Sequence, residues 1–483
     1  MPLILVAGVL VLEVLLICLD LTRRINLMRP WWMAVYLPVA LNLPLLGWFI
    51  LQGGLFPVWT VPNWARVTLL VLVCLFSFYL WLRVNVFPVM DGRRMGFRLK
   101  AMIGGGPILY CNMYAFTAEL ILLPIFYPAL AAQGVSGWLL LANGLYALGC
   151  CAVLFFNGIC RVFFTSKRLS ILRRVVLLLT LWIPLVNWVM WFYAARLIRE
   201  EYDFAWEKQQ LERTRREGEL CRTRYPLIMV HGVAFRDTRF FNYWGRIPRA
   251  LIRNGATVCY GNQEALGTIE YNGGDIRRCI ERVLAETGCE KVNIIAHSKG
   301  GLDARYAITA LGMAERVASL TTISTPHRGC KFADRVTRLP EPVYRFIAKC
   351  FDGTFRKYGD RNPDFYTATR QFCTAPSEEF NRRVPDAPGV YYQSFASVMR
   401  GWYSDLLLSI PHLIIRFCDT PQNDGLVTPE SARWGNFRGV FSNRYRRGIS
   451  HGDMIDLKRE DYRGFDVVET YVQIVAELKR MGF

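Results

Sequence analysis

The sequence predicts an α/β protein, a mostly parallel sheet flanked by helices, preceded by an all-α polytopic bundle. Three observations carry that reading. Residues 1–195 contain only four acids, Glu13, Asp20, Asp91 and Glu119, among apolar runs of membrane-crossing length. From Pro226 onward, short apolar strands alternate with helical stretches, the pattern of a parallel sheet covered by helices. The stretch KVNIIAHSKGGLDARY, Lys291 to Tyr306, sets one serine in a sharp turn between a strand and a helix.

Six apolar runs, roughly 2–20, 33–51, 67–87, 107–131, 137–160 and 175–195, are long enough to cross a hydrocarbon layer of about 30 Å. Nothing basic precedes the first run, and Arg23 and Arg24 follow it, so it is expected to stay attached rather than be cleaved as a signal. Basic residues cluster after spans one (Arg23, Arg24, Arg29), three (Arg93, Arg94, Arg98, Lys100) and five (Arg161, Lys167, Arg168, Arg173, Arg174). The loops after spans two and four carry only Arg66. Odd-numbered loops therefore face the cytoplasm. With six crossings, the N-terminus and everything after Leu197 are expected on the outer face, periplasmic or extracellular for a bacterial inner membrane. Glu13 and Glu119 should face the bundle interior, near Arg83, Asn112 and Asn143.

The stretch RLIREEYDFAWEKQQLERTRREGELCRTR then reads as a charged helical connector over residues 198–225, along the membrane surface. Eight of the 14 cysteines follow it or lie within it (Cys221, Cys259, Cys279, Cys289, Cys330, Cys350, Cys373, Cys418), an even number that suits disulfides in an oxidising compartment. None forms a Cys-x-x-Cys or Cys/His cluster, so zinc has no support. The net charge of +19 divides into +10 for the first 195 residues and +9 beyond, which fits inner-face anchoring and attraction to anionic headgroups. No nucleic-acid-binding module accompanies the charge, and no nucleic acid partner is expected.

The second half is taken in order. PLIMVHG (Pro226 to Gly232) reads as a buried strand, FNYWGRIPRALIRNG as a helix ending at Gly255, ATVCYGN as a strand, and DIRRCIERVLAETG as an amphipathic helix ending at Gly288. The strand before Ser298 follows, then the helix GLDARYAITAL and the strand VASLTTIST. VYYQSF and LIIRFC read as later strands, and a last helix runs from about Val467 to Met481. Reactive groups on such a sheet collect at the carboxyl ends of the strands.

Val292, Ile294 and Ile295 favour a buried strand, Leu302 to Tyr306 suit a helix, and small Ala296 and Gly300 allow a tight turn at Ser298. This is a Gly-x-Ser-x-Gly-type nucleophile elbow with alanine in the first position. A hydroxyl nucleophile needs a base, an acid to orient the base, and backbone donors for developing negative charge. Of five histidines, His451 in GISHGDMID is the best base, and Asp424 in QNDGLVTPESA is the acid between serine and histidine. The order Ser298, Asp424, His451 is that of α/β-hydrolases.

The segments IMVHGVAFRD, YWGRIPRALIRNGATV, KVNIIAHSKGG, STPHRG, NDGLV and SHGDMID closely resemble, in order and spacing, the bacterial triacylglycerol lipases of the Pseudomonas and Burkholderia type, over about residues 226–460. The resemblance implies an α/β-hydrolase domain over 226–483 and the triad Ser298, Asp424 and His451. It implies oxyanion donors from the backbone N–H groups of Val233 and Lys299. No cofactor is implied for the chemistry, but the family's structural calcium maps onto Asp453 and, more loosely, Asp405. The family's disulfide beyond the catalytic aspartate has no counterpart in GLVTPESARW. Residues 331–388 occupy the place of a lid. The resemblance does not extend to the membrane part, 1–197. The expected function is a membrane-tethered serine lipase or esterase acting on membrane lipid; an acyltransferase using the same acyl-enzyme, or a transport or scaffold protein with an inert hydrolase domain, are the alternatives.

Overall fold

The structure, a computed structural model, describes residues 2–483 except 53–60, 88, 90–92, 170, 181–182, 184–185, 217–218, 234–241, 446 and 462–463. The chain forms two compact units, Met1–Gln210 and Leu211–Phe483.

In the first unit, α1 (Pro2–Leu21), α4 (Asn63–Val86), α5 (Phe97–Ala132) and α6 (Gly137–Thr165) are long and apolar enough to cross a membrane. The pair α2 (Pro30–Leu41) and α3 (Leu43–Gln52) makes a fifth such segment, bent by 73°. Asn42 sits at the break. Its side chain donates to Glu119 Oε1 at 2.8 Å and accepts from Asn143 Nδ2 at 2.6 Å, and Asn143 Oδ1 accepts the Leu45 amide at 3.4 Å. Polar side chains from α5 and α6 thus serve the backbone that the bend leaves unpaired.

Polar contacts fix the relative directions of the long helices. Asp20 at the end of α1 meets Arg83 near the end of α4 at 2.9 Å, and Tyr79 donates to the same carboxylate at 2.8 Å. Arg83 therefore pairs with Asp20, not Glu13. Since α1 and α4 end together they run parallel, and the bent α2–α3 pair must cross back between them. Asn157 in α6 reaches Asn85 at 2.9 Å, and Arg98 at the start of α5 donates to the Thr165 carbonyl at the end of α6. The ends of α1, α4 and α6 and the start of α5 share one face, and the three basic loops lie there.

The expected sixth span is something else. It divides into α7 (Ile171–Leu179) and α8 (Val186–Arg216), the first only nine residues or about 14 Å long. Its two ends meet: the Glu201 carboxylate accepts Ser166 Oγ at 2.9 Å, the Lys167 amide at 3.1 Å, the Arg168 amide at 3.2 Å and Arg98 at 2.9 Å. A single crossing would part the ends by about 30 Å. The contacts of Glu201 with Ser166 to Arg168 instead bring the two ends of this region to one place, with Leu177, Trp191, Ala194 and Ile198 packed among Met102, Leu109 and Val162. The segment expected as a separate connector is the continuation of α8 as far as Arg216.

The second unit is built on a six-stranded sheet, β1 (Leu227–Val230), β2 (Val258–Tyr260), β3 (Val292–His297), β4 (Val317–Ile323), β5 (Tyr391–Ser397) and β6 (Asn436–Phe441), all parallel in the order 2-1-3-4-5-6. Strand alternation supplies both covered faces. Leu227, Met229, Ile295 and Phe395 pack against α9 (Ile247–Arg253) and α18 (Val467–Arg480), the helices numbered in chain order. Ile228, Val230, Ile294 and Ala296 pack against α10 (Ile269–Thr287) and α11 (Lys299–Thr309). This is the α/β-hydrolase fold.

Two elements depart from expectation. LIIRFC lies in a helix, α16 (Ser409–Cys418), and the sixth strand is β6 instead. All 14 cysteines are free thiols, so the even number after residue 200 makes no disulfide framework.

Candidate active site

Ser298 follows the last residue of β3 and precedes the first of α11, with φ 54° and ψ −132°. Positive φ at a residue carrying a Cβ is strained, and such strain is held only where packing enforces it. The packing is close: a Cβ on Gly232 would lie 2.9 Å from Ser298 Cβ, and one on Gly300 would lie 2.8 Å from the Val230 carbonyl. Glycine at both places lets the elbow press against the end of β1.

The carboxyl ends of β5 and β6 lead to the other two residues. His451 Nδ1 lies 2.9 Å from Asp424 Oδ2, and the His451 amide donates to the Asp424 carbonyl at 2.8 Å. Asp424 Oδ1 accepts the amides of Leu426 and Val427 at 3.0 and 2.8 Å, and Oδ2 takes Ser397 Oγ at 3.3 Å. Burial pushes the Asp424 carboxyl up, but His451 and these two amides outweigh it and hold the group below the usual carboxylate range. The aspartate is thus kept ionised to orient His451.

His297, next to Ser298, has its ring 4.5 Å from that of His451 and its Nδ1 2.7 Å from Tyr243 Oη. Burial, and then the neighbouring His451, push its pKa well down. His297 thus lies against His451 as a neutral ring.

Val233 and Ser298 share the wall of a cavity of about 220 Å³, with Leu266, Phe332, Phe372 and Leu426 among its apolar lining. Lys299 opens α11, so its amide has no partner within that helix and stands at the positive end of the helix dipole. Its side chain is buried, pairing with Asp303 Oδ1 at 2.5 Å, while Asp303 Oδ2 accepts Asn272 Nδ2 at 3.1 Å. Burial pushes Lys299 down and Asp303 up to about 6, each opposed by the partner's charge.

The segment 331–388 folds into α12 (Lys331–Val336), α13 (Glu341–Lys357), α14 (Phe365–Arg370) and α15 (Thr374–Arg383). Val336, Phe351, Phe365 and Thr369 from the first three of these helices line the cavity.

Asp405 and Asp453 do come together, at Ser450 beside His451. Ser450 Oγ donates to Asp405 at 2.9 Å, and the Ser450 amide donates to Asp453 at 2.9 Å. Each carboxylate already has a cation, Lys458 at 2.8 Å from Asp405 and Arg447 at 2.9 Å from Asp453. Calcium wants six to eight oxygens. Among the described residues, no group of three or more His, Cys, Asp or Glu side chains could hold a metal, and this donor set does not fit calcium.

Sequence reasoning missed Ser397, Ser450 and the Tyr243–His297 contact, which have no motif of their own. The Lys299–Asp303 pair had a signal in its i, i+4 spacing.

Residues 224–326 match the family model described as lipase (class 2). The chain is 29% identical over 266 residues to triacylglycerol lipase 2 of Saccharomyces cerevisiae, covering 50% of this chain and 74% of that protein. It is 36% identical over 205 residues to a triacylglycerol lipase of Pseudarthrobacter phenanthrenivorans, covering 39% and 63%. It is 29% identical over 293 residues to a triacylglycerol lipase of Pseudomonas fragi, covering 54% and 98%.

Proposed function

We infer, from a chain that is a relative of the bacterial triacylglycerol lipases, that the protein is a carboxylic ester hydrolase tethered to a membrane and acting on acyl esters of lipid. The observation that carries the reading is the Asp424–His451 pair, whose imidazole lies 4.5 Å from that of His297, next to a strained Ser298 that lines an apolar cavity. In this mechanism Ser298 Oγ attacks the ester carbonyl as His451 takes its proton. The amides of Val233 and Lys299 receive the oxyanion. His451 then returns the proton to the leaving alcohol, and water repeats the sequence on the acyl-enzyme. Helices α12 to α15 act as the lid over the acyl chain.

In Ser298→Ala, labelling by a fluorophosphonate probe is expected to vanish and ester hydrolysis to fall by about 10⁴-fold or more. Undiminished labelling of that variant would place the nucleophile elsewhere.

The hydrolase unit belongs, on this reading, to the cytoplasmic face. Five crossings followed by a hairpin return the chain to the face that holds the three basic loops, and those loops mark the inside. Fourteen free thiols agree with a reducing compartment. The even parity that pointed outward counted residues 175–195 as a crossing. The substrate is then an acyl ester of the cytoplasmic leaflet.

A further inference from the structure

We propose that the surface of the hydrolase unit formed by residues 402–417 is a second membrane contact, which seats on the headgroups and upper acyl chains of the leaflet and sets the cavity mouth against it. The inference rests on the membrane tether and hydrolase reading, and adds a surface to it.

The short stretch GWYSDLLLSIPHLIIRF, Gly401 to Phe417, exposes Trp402, Tyr403, Leu406, Leu407, Ile410 and Phe417. Leu406 is 84% exposed and Phe417 81%, values that a water-facing surface rarely gives to such side chains within one short segment. The opposite side is also committed. Ile415 is buried against Cys330 and Ala333, both of which line the acyl cavity, and His412 Nδ1 lies 2.7 Å from Asn423 Oδ1, one residue before the catalytic acid. The inward face of α16 therefore helps hold the site while the outward face is apolar. A helix apolar all round needs an apolar medium on its second side.

The residue types and charges choose the bilayer as that medium. Trp402 and Tyr403 are the side chains that settle at a membrane interface, apolar in body and polar at the tip. Arg400 and Arg416 flank the apolar group and are exposed, whereas Asp405, the acid within it, is buried on Lys458. Asp419 follows just beyond the helix. The outward face is thus apolar with a basic rim, which complements an anionic headgroup layer. The tether already holds this unit near such a layer.

The test uses the full chain in liposomes of phosphatidylcholine and phosphatidylglycerol. A nitroxide is attached through a genetically encoded ketone side chain at position 406 or 417, with Arg277 on the exposed side of α10 as reference, which leaves the fourteen cysteines untouched. At 406 and 417, molecular oxygen is expected to reach the label and a water-soluble nickel chelate not to. Nickel access equal to that at 277 would put the face in water. Exclusion of both probes would put it against protein, a second copy of the chain included; either result overturns the proposal. In a second arm, the double variant Leu406→Ser, Phe417→Ser is expected to lose about ten-fold or more of its rate on a fluorogenic diacylglycerol carried in the liposomes, by losing proximity. Its rate on a water-soluble butyrate ester should stay within about two-fold, since that substrate needs no docking. Parallel loss on both substrates, or loss on neither, also overturns it. The spectroscopic arm reads the surface even if neither ester is cleaved, so failure of the hydrolase reading and failure of the docking surface give different results.

Discussion

Ser450 holds two aspartates and precedes His451, and the cations around it bear on whether a metal could sit there. Lys458 and Arg447 occupy the place where a divalent ion would balance Asp405 and Asp453. We expect chelation to leave the melting temperature unchanged; a chelator-induced fall would mean that a metal is bound. Burial pushes the Asp405 carboxyl up, but Lys458, followed by Ser450, pulls it further down, leaving it below its ordinary value. A depressed carboxylate stabilises the fold above its unfolded pKa of about 3.9 and loses that contribution as pH falls through the folded value. Lys458→Met removes the pull, so its acid unfolding midpoint should move to higher pH, with a stability loss at neutral pH of about 1–3 kcal/mol. The acid titration of the two proteins, followed by circular dichroism, checks both signs. The turn at Ser298 and the pairing of Asp424 with His451 were legible at this scale because each residue sits in a distinctive turn. The two cations were not legible, because the motif names the aspartates and not the lysine and arginine folded against them.

At the scale of elements, α11 does two things: it begins directly after Ser298, leaving its first amide without a partner in the helix, and its first turns bury a lysine–aspartate pair. Burying both charges is costly, and stranding one is worse. Asp303→Leu leaves the Lys299 ammonium buried without its partner and should cost about 3–5 kcal/mol, whereas Lys299→Met with Asp303→Leu should be near neutral. Thermal melts of the single and double variants decide this, and equal losses in both would mean that the pair itself is not the determinant. The strands of the central sheet were readable because both of their faces are buried, giving short continuous apolar runs. LIIRFC was misread for that same reason: six apolar-rich residues fit a buried strand or one side of a helix equally well. Strand β6 was missed because it is the sheet's edge, half exposed, with Arg438 and Gly439 breaking its pattern.

At the scale of the whole molecule, the hydropathy of residues 175–195 could not distinguish a crossing from a hairpin, because both are apolar for the same length. Only the return of Glu201 to Ser166–Arg168 separates them, a contact between residues 33 to 35 apart in sequence. On the proposed reading, that one segment decides the side on which the 273 residues 211–483 are expected. Protease added to right-side-out spheroplasts should therefore spare residues 211–483, and protease added to inverted vesicles should remove them. The reverse pattern would restore a sixth crossing.

That hairpin also bears on how the protein is made. A chain that enters and leaves the bilayer on one face never has to be threaded through a translocon beyond that point. The parallel sheet, whose distant strands are slow to pair, can then assemble as it leaves the ribosome, among cytosolic chaperones and with its thiols kept reduced. An exported enzyme of the same fold must cross the membrane unfolded; under the proposed cytoplasmic placement, residues 211–483 are made in the compartment where they work.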